Sequence, residues 1–239
     1  MTDRIGAILV AAGESSRMGG LDKVFAPLLG KPLVAHSLDA LAAVPGLTEA
    51  VLVLSAGALD RGRRLLADGP WPASWRACEG GPRRQDSVRR GLEAMGEVDW
   101  VVVHDAARPC AEAGLVAAVL DAARETGAAV AAVRVTDTIK VVDAGGTVVE
   151  TLDRERLWAV QTPQAFRRDL LARAHAGGGA DATDDAALVE RLGHPVRVAP
   201  GAASNLKVTT PTDLVLVEAI LRAERALHPG AGGATSAPP

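Results

Sequence analysis

The sequence predicts an α/β protein, a mostly parallel sheet with helices on both faces. Three observations carry that prediction. Short apolar runs recur at residues 5–10, 50–54, 100–103 and 128–133, amphipathic stretches of helical period lie between them, and the apolar runs are nearly continuous. A strand with both sides apolar is a strand buried on both faces, and parallel strands are joined by crossover helices that supply the cover. With 48% hydrophobic residues in 239, the chain can bury a full-sized core. No apolar stretch approaches the ~20 residues of a membrane helix. The N-terminal apolar run is short and leads into Gly13 and Glu14, which makes a poor signal peptide. The expected compartment is the cytoplasm.

Each element follows from the pattern in turn. Helical periodicity marks residues 32–43, 58–67, 85–95 and 112–125 as the connections between the four strands. After residue 133 the rhythm breaks. Residues 136–142 and 147–152 are β-like, with Ala144-Gly145-Gly146 as the turn between them, so a β-hairpin arm is inserted at 134–158. Helices follow at 167–175 and 184–191, then a strand at 196–199, an irregular stretch at 204–208 and a closing helix at 211–227. Pro211 suits the first turn of that helix. The tail, 229–239, is Gly, Pro, Ala and Ser without period, and is expected to be disordered. The whole reads as one Rossmann-like domain over 1–228.

In such a sheet ligands gather at the carboxyl ends of the strands. The loop after the first strand, Val10-Ala11-Ala12-Gly13-Glu14-Ser15-Ser16-Arg17-Met18-Gly19-Gly20, followed by Lys23, is neither a dinucleotide fingerprint nor a P-loop. Its small residues nonetheless leave backbone N–H groups free for an anion, and Arg17 and Lys23 add charge suited to a triphosphate. Read alone, the same loop is also a surface loop with two solvated basic residues. Net charge is −3, which argues against a general nucleic-acid binder. Only four of the 26 basic residues are lysines (Lys23, Lys31, Lys140 and Lys207), so a lysine here is a candidate for a place that needs a compact point charge. Cys78 and Cys110 lack metal-ligand spacing and read as reduced core thiols.

The run Ala11-Ala12-Gly13, Arg17-Met18-Gly19 and Lys23 resembles the signature of the sugar-phosphate nucleotidyltransferases. Four further segments narrow the resemblance: Gly80-Gly81 with Arg84-Gln85-Asp86-Ser87-Val88; His104-Asp105-Ala106-Ala107-Arg108-Pro109; Thr162-Pro163-Gln164; and Asn205-Leu206-Lys207-Val208-Thr209. Together and in this order they resemble the 2-C-methyl-D-erythritol 4-phosphate cytidylyltransferases over nearly the whole chain. Pro82 departs from the pattern, because polar residues are common there in that family.

The reaction the resemblance implies is attack by a phosphate oxygen of a polyol phosphate on the α-phosphorus of CTP, with release of pyrophosphate. The nucleophile needs no general base, since a phosphomonoester with second pKa of ~6 is already dianionic near neutrality. The difficulty is bringing two anions together, which calls for cations and a metal placed in advance. The resemblance assigns Arg17 and Lys23 to the transition state around the α-phosphate, and Arg154 and Lys207 to the acceptor phosphate. It gives Ala11, Ala12, Gly13, Gly81, Arg84 and Ser87 to the nucleotide. Asp105, Ala106, Arg108, Thr138, Thr162 and Thr183 go to the acceptor, with Asp105 also holding Mg2+ or another divalent cation. The resemblance further implies a homodimer that exchanges the 134–158 arms, so that Thr138 and Arg154 reach the partner's site.

Read without it, several of these residues have plainer roles. Asp105 is a cap or a partner for Arg108, residues 80–88 are a helix start, and Thr162 and Gln164 form a turn. His104 orders its neighbours. Asp184 and Asp185 are a solvated loop and a helix cap. Trp71, Trp75, Trp100 and Trp158 are too scattered to form a stacking platform and belong to the core or its rim. A ribitol 5-phosphate cytidylyltransferase is the rival within the class, and a non-catalytic nucleotide-binding module the rival outside it. A binder does not need Arg17, Lys23, Asp105, Arg154 and Lys207 together.

Overall fold

The computed structural model describes residues 3–13, 23–177 and 181–227. Arg17 and the tail 229–239 lie outside them. The described chain runs β1 (Ile5–Ala11), β2 (Pro27–Leu28), β3 (Lys31–Pro32), α1 (Leu33–Ala42), β4 (Leu47–Leu54), α2 (Leu59–Asp68), β5 (Arg76–Glu79), α3 (Arg84–Ala94), β6 (Trp100–Asp105), α4 (Ala113–Thr126) and β7 (Ala128–Arg134). It continues through β8 (Lys140–Val142), β9 (Val148–Thr151), β10 (Trp158–Arg167), α5 (Arg168–Ala176), α6 (Asp185–Arg191), β11 (Arg197–Pro200) and α7 (Pro211–Leu227).

Seven strands form one sheet in the order β11-β7-β10-β6-β1-β4-β5, and only β10 runs antiparallel to its neighbours. The four apolar runs predicted as strands are β1, β4, β6 and β7. Their side chains divide between two cores. Ala7, Leu9, Leu52, Leu54 and Val102 face α1 and α4, while Ile8, Val51, Val53, Val101 and Val103 face α3, α5 and α6. Alternate residues point to opposite faces, and both faces are covered, so each strand must be apolar along its covered stretch.

Two strands of the seven-stranded sheet escape the sequence pattern. β5 is a short edge strand, Arg-Ala-Cys-Glu, with no apolar run to mark it. β10 is ten residues long but carries Pro163, which lowers any strand prediction. Thr162 and Gln164 are therefore residues of a central strand, and the turn predicted for them is corrected. The strand survives because its buried stretch, Gln161 to Phe166, fills the gap between β6 and β7.

The arm is a two-stranded hairpin outside the main sheet, and β8 and β9 are shorter than predicted and exposed along their length. Its root is tied where Arg134 pairs with Trp158 in the β7–β10 ladder and the Arg134 guanidinium lies 4.8 Å from the Trp158 ring centroid. No described helix is long and apolar enough to cross a membrane.

Helix α3 lies close against the sheet. A Cβ added at Gly91 would fall 2.8 Å from Ile8 Cγ2 and 3.1 Å from Val53 Cγ2. Gly91→Val is expected to lower stability by roughly 1–3 kcal/mol, the usual cost of overpacking, read as a lower urea midpoint at unchanged slope.

Candidate active site

Because β1, β4, β5 and β6 are mutually parallel, their carboxyl ends open on one edge, and a cavity of about 610 Å3 lies there. It is lined by Ala11, Ala12 and Gly13 after β1, Ser55 and Ala56 after β4, Glu79 to Arg84 after β5, and Asp105 and Ala107 after β6. Lys23, Ser87, Arg90 and Lys207 complete the wall. Five of the lining residues are basic and two acidic, so a chain with a net charge of −3 concentrates positive charge at this one place. Such a focused field attracts a polyanion.

Asp105 sits at the end of β6 with its side chain 9% exposed. Its Oδ2 accepts from Lys207 Nζ at 2.7 Å, and its Oδ1 from Arg84 Nε at 3.4 Å. Burial pushes the carboxyl up, but Arg84 and Lys207 outweigh it and hold the group well below the usual carboxylate range. Arg84 opens α3, and its Nη1 donates to Asp185 Oδ2 at 2.5 Å. Burial works against its charge, yet Asp185 and Asp105 keep it firmly protonated.

The base of the site is held by a directional chain. Thr162 stands on β10 two residues before Gln164, which pairs with Val103 on antiparallel β6. The Asp105 N–H donates to Thr162 Oγ1 at 2.9 Å, so the hydroxyl proton is free to donate to His104 Nδ1 at 3.1 Å. That leaves His104 Nε2–H to donate to the Arg108 carbonyl at 3.2 Å. Burial lowers the His104 pKa to about 4, so the ring is neutral and every polar atom of this chain has its partner. His104 orders the loop and does not carry a proton for the reaction.

Lys207 is positioned from the other side. Arg108 Nη1 donates to the Asn205 carbonyl at 2.7 Å, Asn205 Nδ2 donates to the Thr162 carbonyl at 2.8 Å, and the Val208 N–H donates to the Ala107 carbonyl at 2.8 Å. The irregular stretch predicted at 204–208 is thus strapped to the loop after β6, with Lys207 aimed into the cavity. Across it, the Gly81 N–H donates to Ser87 Oγ at 3.1 Å. A Cβ at Gly80 would lie 2.4 Å from Ala12 Cβ, so the loops after β1 and β5 touch only because residue 80 has no side chain.

Of the residues singled out from sequence, Lys23, Lys207, Ala11, Ala12, Gly13, Gly81, Arg84, Ser87 and Asp105 line this cavity. Others stand elsewhere. Ala106 is fully buried and its carbonyl accepts from Ser37 Oγ at 3.1 Å. Thr162 lies beneath Asp105, Arg108 behind it, and Thr183 on the surface before α6. Thr138 and Arg154 are on the exposed arm, where Arg154 Nη1 donates to the Thr136 carbonyl at 3.1 Å. Arg17 lies outside the described residues.

Asp184 caps α6 by accepting the Ala187 N–H at 2.9 Å. Asp185 is corrected from a solvated position: it has 0% exposure, because Arg84 and His175 supply the partners that make its burial tolerable. Sequence reasoning also missed Glu79, Arg83 and Arg90 in the cavity wall; the edge strand that presents Glu79 gave no apolar signal.

Among the described residues no group of three or more His, Cys, Asp or Glu could cage a metal ion. A single carboxylate at a phosphate-sized basic cavity fits Mg2+ all the same, since that ion takes one or two carboxylates and fills its remaining positions with phosphate oxygens and water.

Residues 5–223 match the family described as 2-C-methyl-D-erythritol 4-phosphate cytidylyltransferase. An enzyme of that name from Dehalococcoides mccartyi (strain CBDB1) is 44% identical, over 94% of this chain and 99% of its own length. Another, from Symbiobacterium thermophilum, is 46% identical over 92% and 94%. The crystal structure of 4-diphosphocytidyl-2C-methyl-D-erythritol synthase from Anaerococcus prevotii superposes with a TM-score of 0.82 at 28% identity, covering 92% of this chain and 96% of that one. The cytidylyltransferase of Thermus thermophilus gives 0.73 at 37% identity, over 90% and 98%.

The buried neutral imidazole has a consequence for stability. The unfolded chain protonates His104 near pH 6.5, the folded chain only near pH 4, so stability falls as pH drops through that interval. The loss expected by pH 4 is on the order of 3 kcal/mol. It should show in urea midpoints between pH 7 and 4.5, and the slope should flatten in His104→Gln.

Proposed function

The chain belongs to the 2-C-methyl-D-erythritol 4-phosphate cytidylyltransferase family, and from that premise we propose that the basic cavity at the strand ends is its active site. It is a CTP-dependent enzyme of non-mevalonate isoprenoid precursor synthesis. It transfers a cytidylyl group from CTP to 2-C-methyl-D-erythritol 4-phosphate, giving 4-diphosphocytidyl-2-C-methyl-D-erythritol and pyrophosphate. The observation that carries the assignment of the site is that Lys23, Asp105 and Lys207, far apart in sequence, face one cavity.

The chemistry asks these residues for charge and position. The acceptor phosphate arrives as a dianion and attacks the α-phosphorus, so its approach and the leaving pyrophosphate must both be neutralised. Lys23 lines the cavity with Gly13 and is read as bearing on the α-phosphate together with Arg17. Lys207, aimed into the cavity from 204–208, holds the acceptor phosphate. The loops of Ala11 to Gly13 and Gly80 to Gly81 offer backbone to the nucleotide, with Ser87 locking the second loop. Asp105 would hold Mg2+ or another divalent cation, which when bound shields the phosphate charges. No residue is asked to remove a proton.

Arg154 and Thr138 belong to this reading through a second copy. Val142, Val148 and Val149 on the arm are 54%, 53% and 61% exposed, and a lone two-stranded hairpin gains little in water. Packing two arms about a two-fold axis would cover them and carry Arg154 toward the partner's cavity. Residues 1–228 then act as one domain with the 134–158 arm as its dimer contact, in the cytoplasm.

Pyrophosphate release should require CTP with 2-C-methyl-D-erythritol 4-phosphate and be far slower with ribitol 5-phosphate or with GTP or UTP. Release with none of these pairs would refute the assignment. Lys23→Ala is expected to keep its fold and lose turnover by a factor of about 100 to 1,000, and near-normal turnover would remove Lys23 from the site. Val149→Asp should give a monomer by sedimentation and, with it, a large loss of activity. A fully active monomer would exclude the shared site.

A further inference from the structure

Arg84 does not pair with Asp105 as an unconstrained arginine would. A guanidinium free to choose meets a carboxylate with two parallel bonds near ~2.8 Å. Here a single nitrogen, Nε, reaches Asp105 at 3.4 Å, while Nη1 reaches Asp185 at 2.5 Å. The third nitrogen, Nη2, is buried and has no partner, so the group is placed by its strongest bond and is not saturated all round. Asp185 is itself fixed. It has 0% exposure, sits in the first turn of α6, and accepts from His175 Nε2 on α5 at 3.1 Å. The neighbouring Asp184 does not compete for Arg84, because its two oxygens are taken by the Ala187 N–H and Gln164 Nε2.

A fully buried carboxylate is costly to keep, and a pair of this kind is weak evidence for stability alone. We propose that Asp185 is a positioning residue: by holding Arg84 it keeps that guanidinium from closing on Asp105, and so leaves one Asp105 oxygen loosely engaged for the divalent cation that accompanies CTP. His175 braces Asp185 from α5. Without Asp185, the carboxylate partner left to Arg84 among the described residues is Asp105, both Asp105 oxygens are tied to cations, and metal must displace one of them. This rests on the reading of Asp105 as the carboxylate that meets the metal.

The test compares Asp185→Asn, Arg84→Gln and the double variant. Each is measured by calorimetric binding of Mn2+ in the presence of CTP, by kcat for pyrophosphate release, and by melting temperature. Asp185→Asn should weaken Mn2+ binding and lower kcat, each by about tenfold. Because Asp185 acts through Arg84, the double variant should be no worse than Arg84→Gln. The idea is overturned if folded Asp185→Asn binds Mn2+ and turns over like the parent, or if the two single losses multiply in the double variant. Should either single variant fail to fold, the double decides: with no guanidinium left to close on Asp105, it must bind Mn2+ at saturating CTP at least as tightly as the parent, and clearly weaker binding contradicts the proposal. Asp105→Asn is the control for the underlying reading. If it alone keeps parental turnover, the reading of Asp105 fails whatever Asp185 does.

Discussion

A carboxylate held ionised at the edge of a hydrophobic sheet governs the design of this molecule. Asp105 is almost wholly removed from water, at the end of a strand whose preceding residues, Val101 to Val103, are fully buried. It stays charged because Lys207 arrives from one side and Arg84 from the other. Each of those cations must in turn be brought from a distant part of the chain. Much of the local architecture can be understood as the means of doing so.

The antiparallel strand is the clearest instance. Inserting β10 between β6 and β7 places Thr162 under Asp105, and its hydroxyl both accepts the Asp105 N–H and feeds the neutral ring of His104. Asn205 then bonds to the Thr162 carbonyl, which fixes the segment that carries Lys207. A strand that looks like sheet filler therefore ties the two charged partners to one frame. The Asp105 N–H, the Thr162 hydroxyl, the His104 ring and the Asn205 amide are bonded in series, and the low surrounding dielectric strengthens each bond in the series.

The sheet was legible in the sequence because strands buried on both faces must be apolar where they are covered, as Ile5–Ala11 is throughout and β6 is from Trp100 to Val103. β10 was hidden by Pro163 and by polar residues whose partners lie far away along the chain. The site was legible where small residues and isolated lysines stood at strand ends, as at Ala11 to Gly13 and Lys23. Asp185 was not, because a carboxylate after a threonine and another aspartate looks like a helix cap, and only the fold brings Arg84 and His175 around it. Ala106 was read as a ligand contact, but its position one residue beyond the strand turns its carbonyl inward to Ser37.

The most direct test is a crystal structure with CTP and Mg2+ bound. The account predicts the triphosphate lying along the loops that follow β1 and β5, its α-phosphate within reach of Lys23, and the metal ion against Asp105 with Lys207 facing the open side. A triphosphate bound away from that cavity, or a metal ion remote from Asp105, would contradict it.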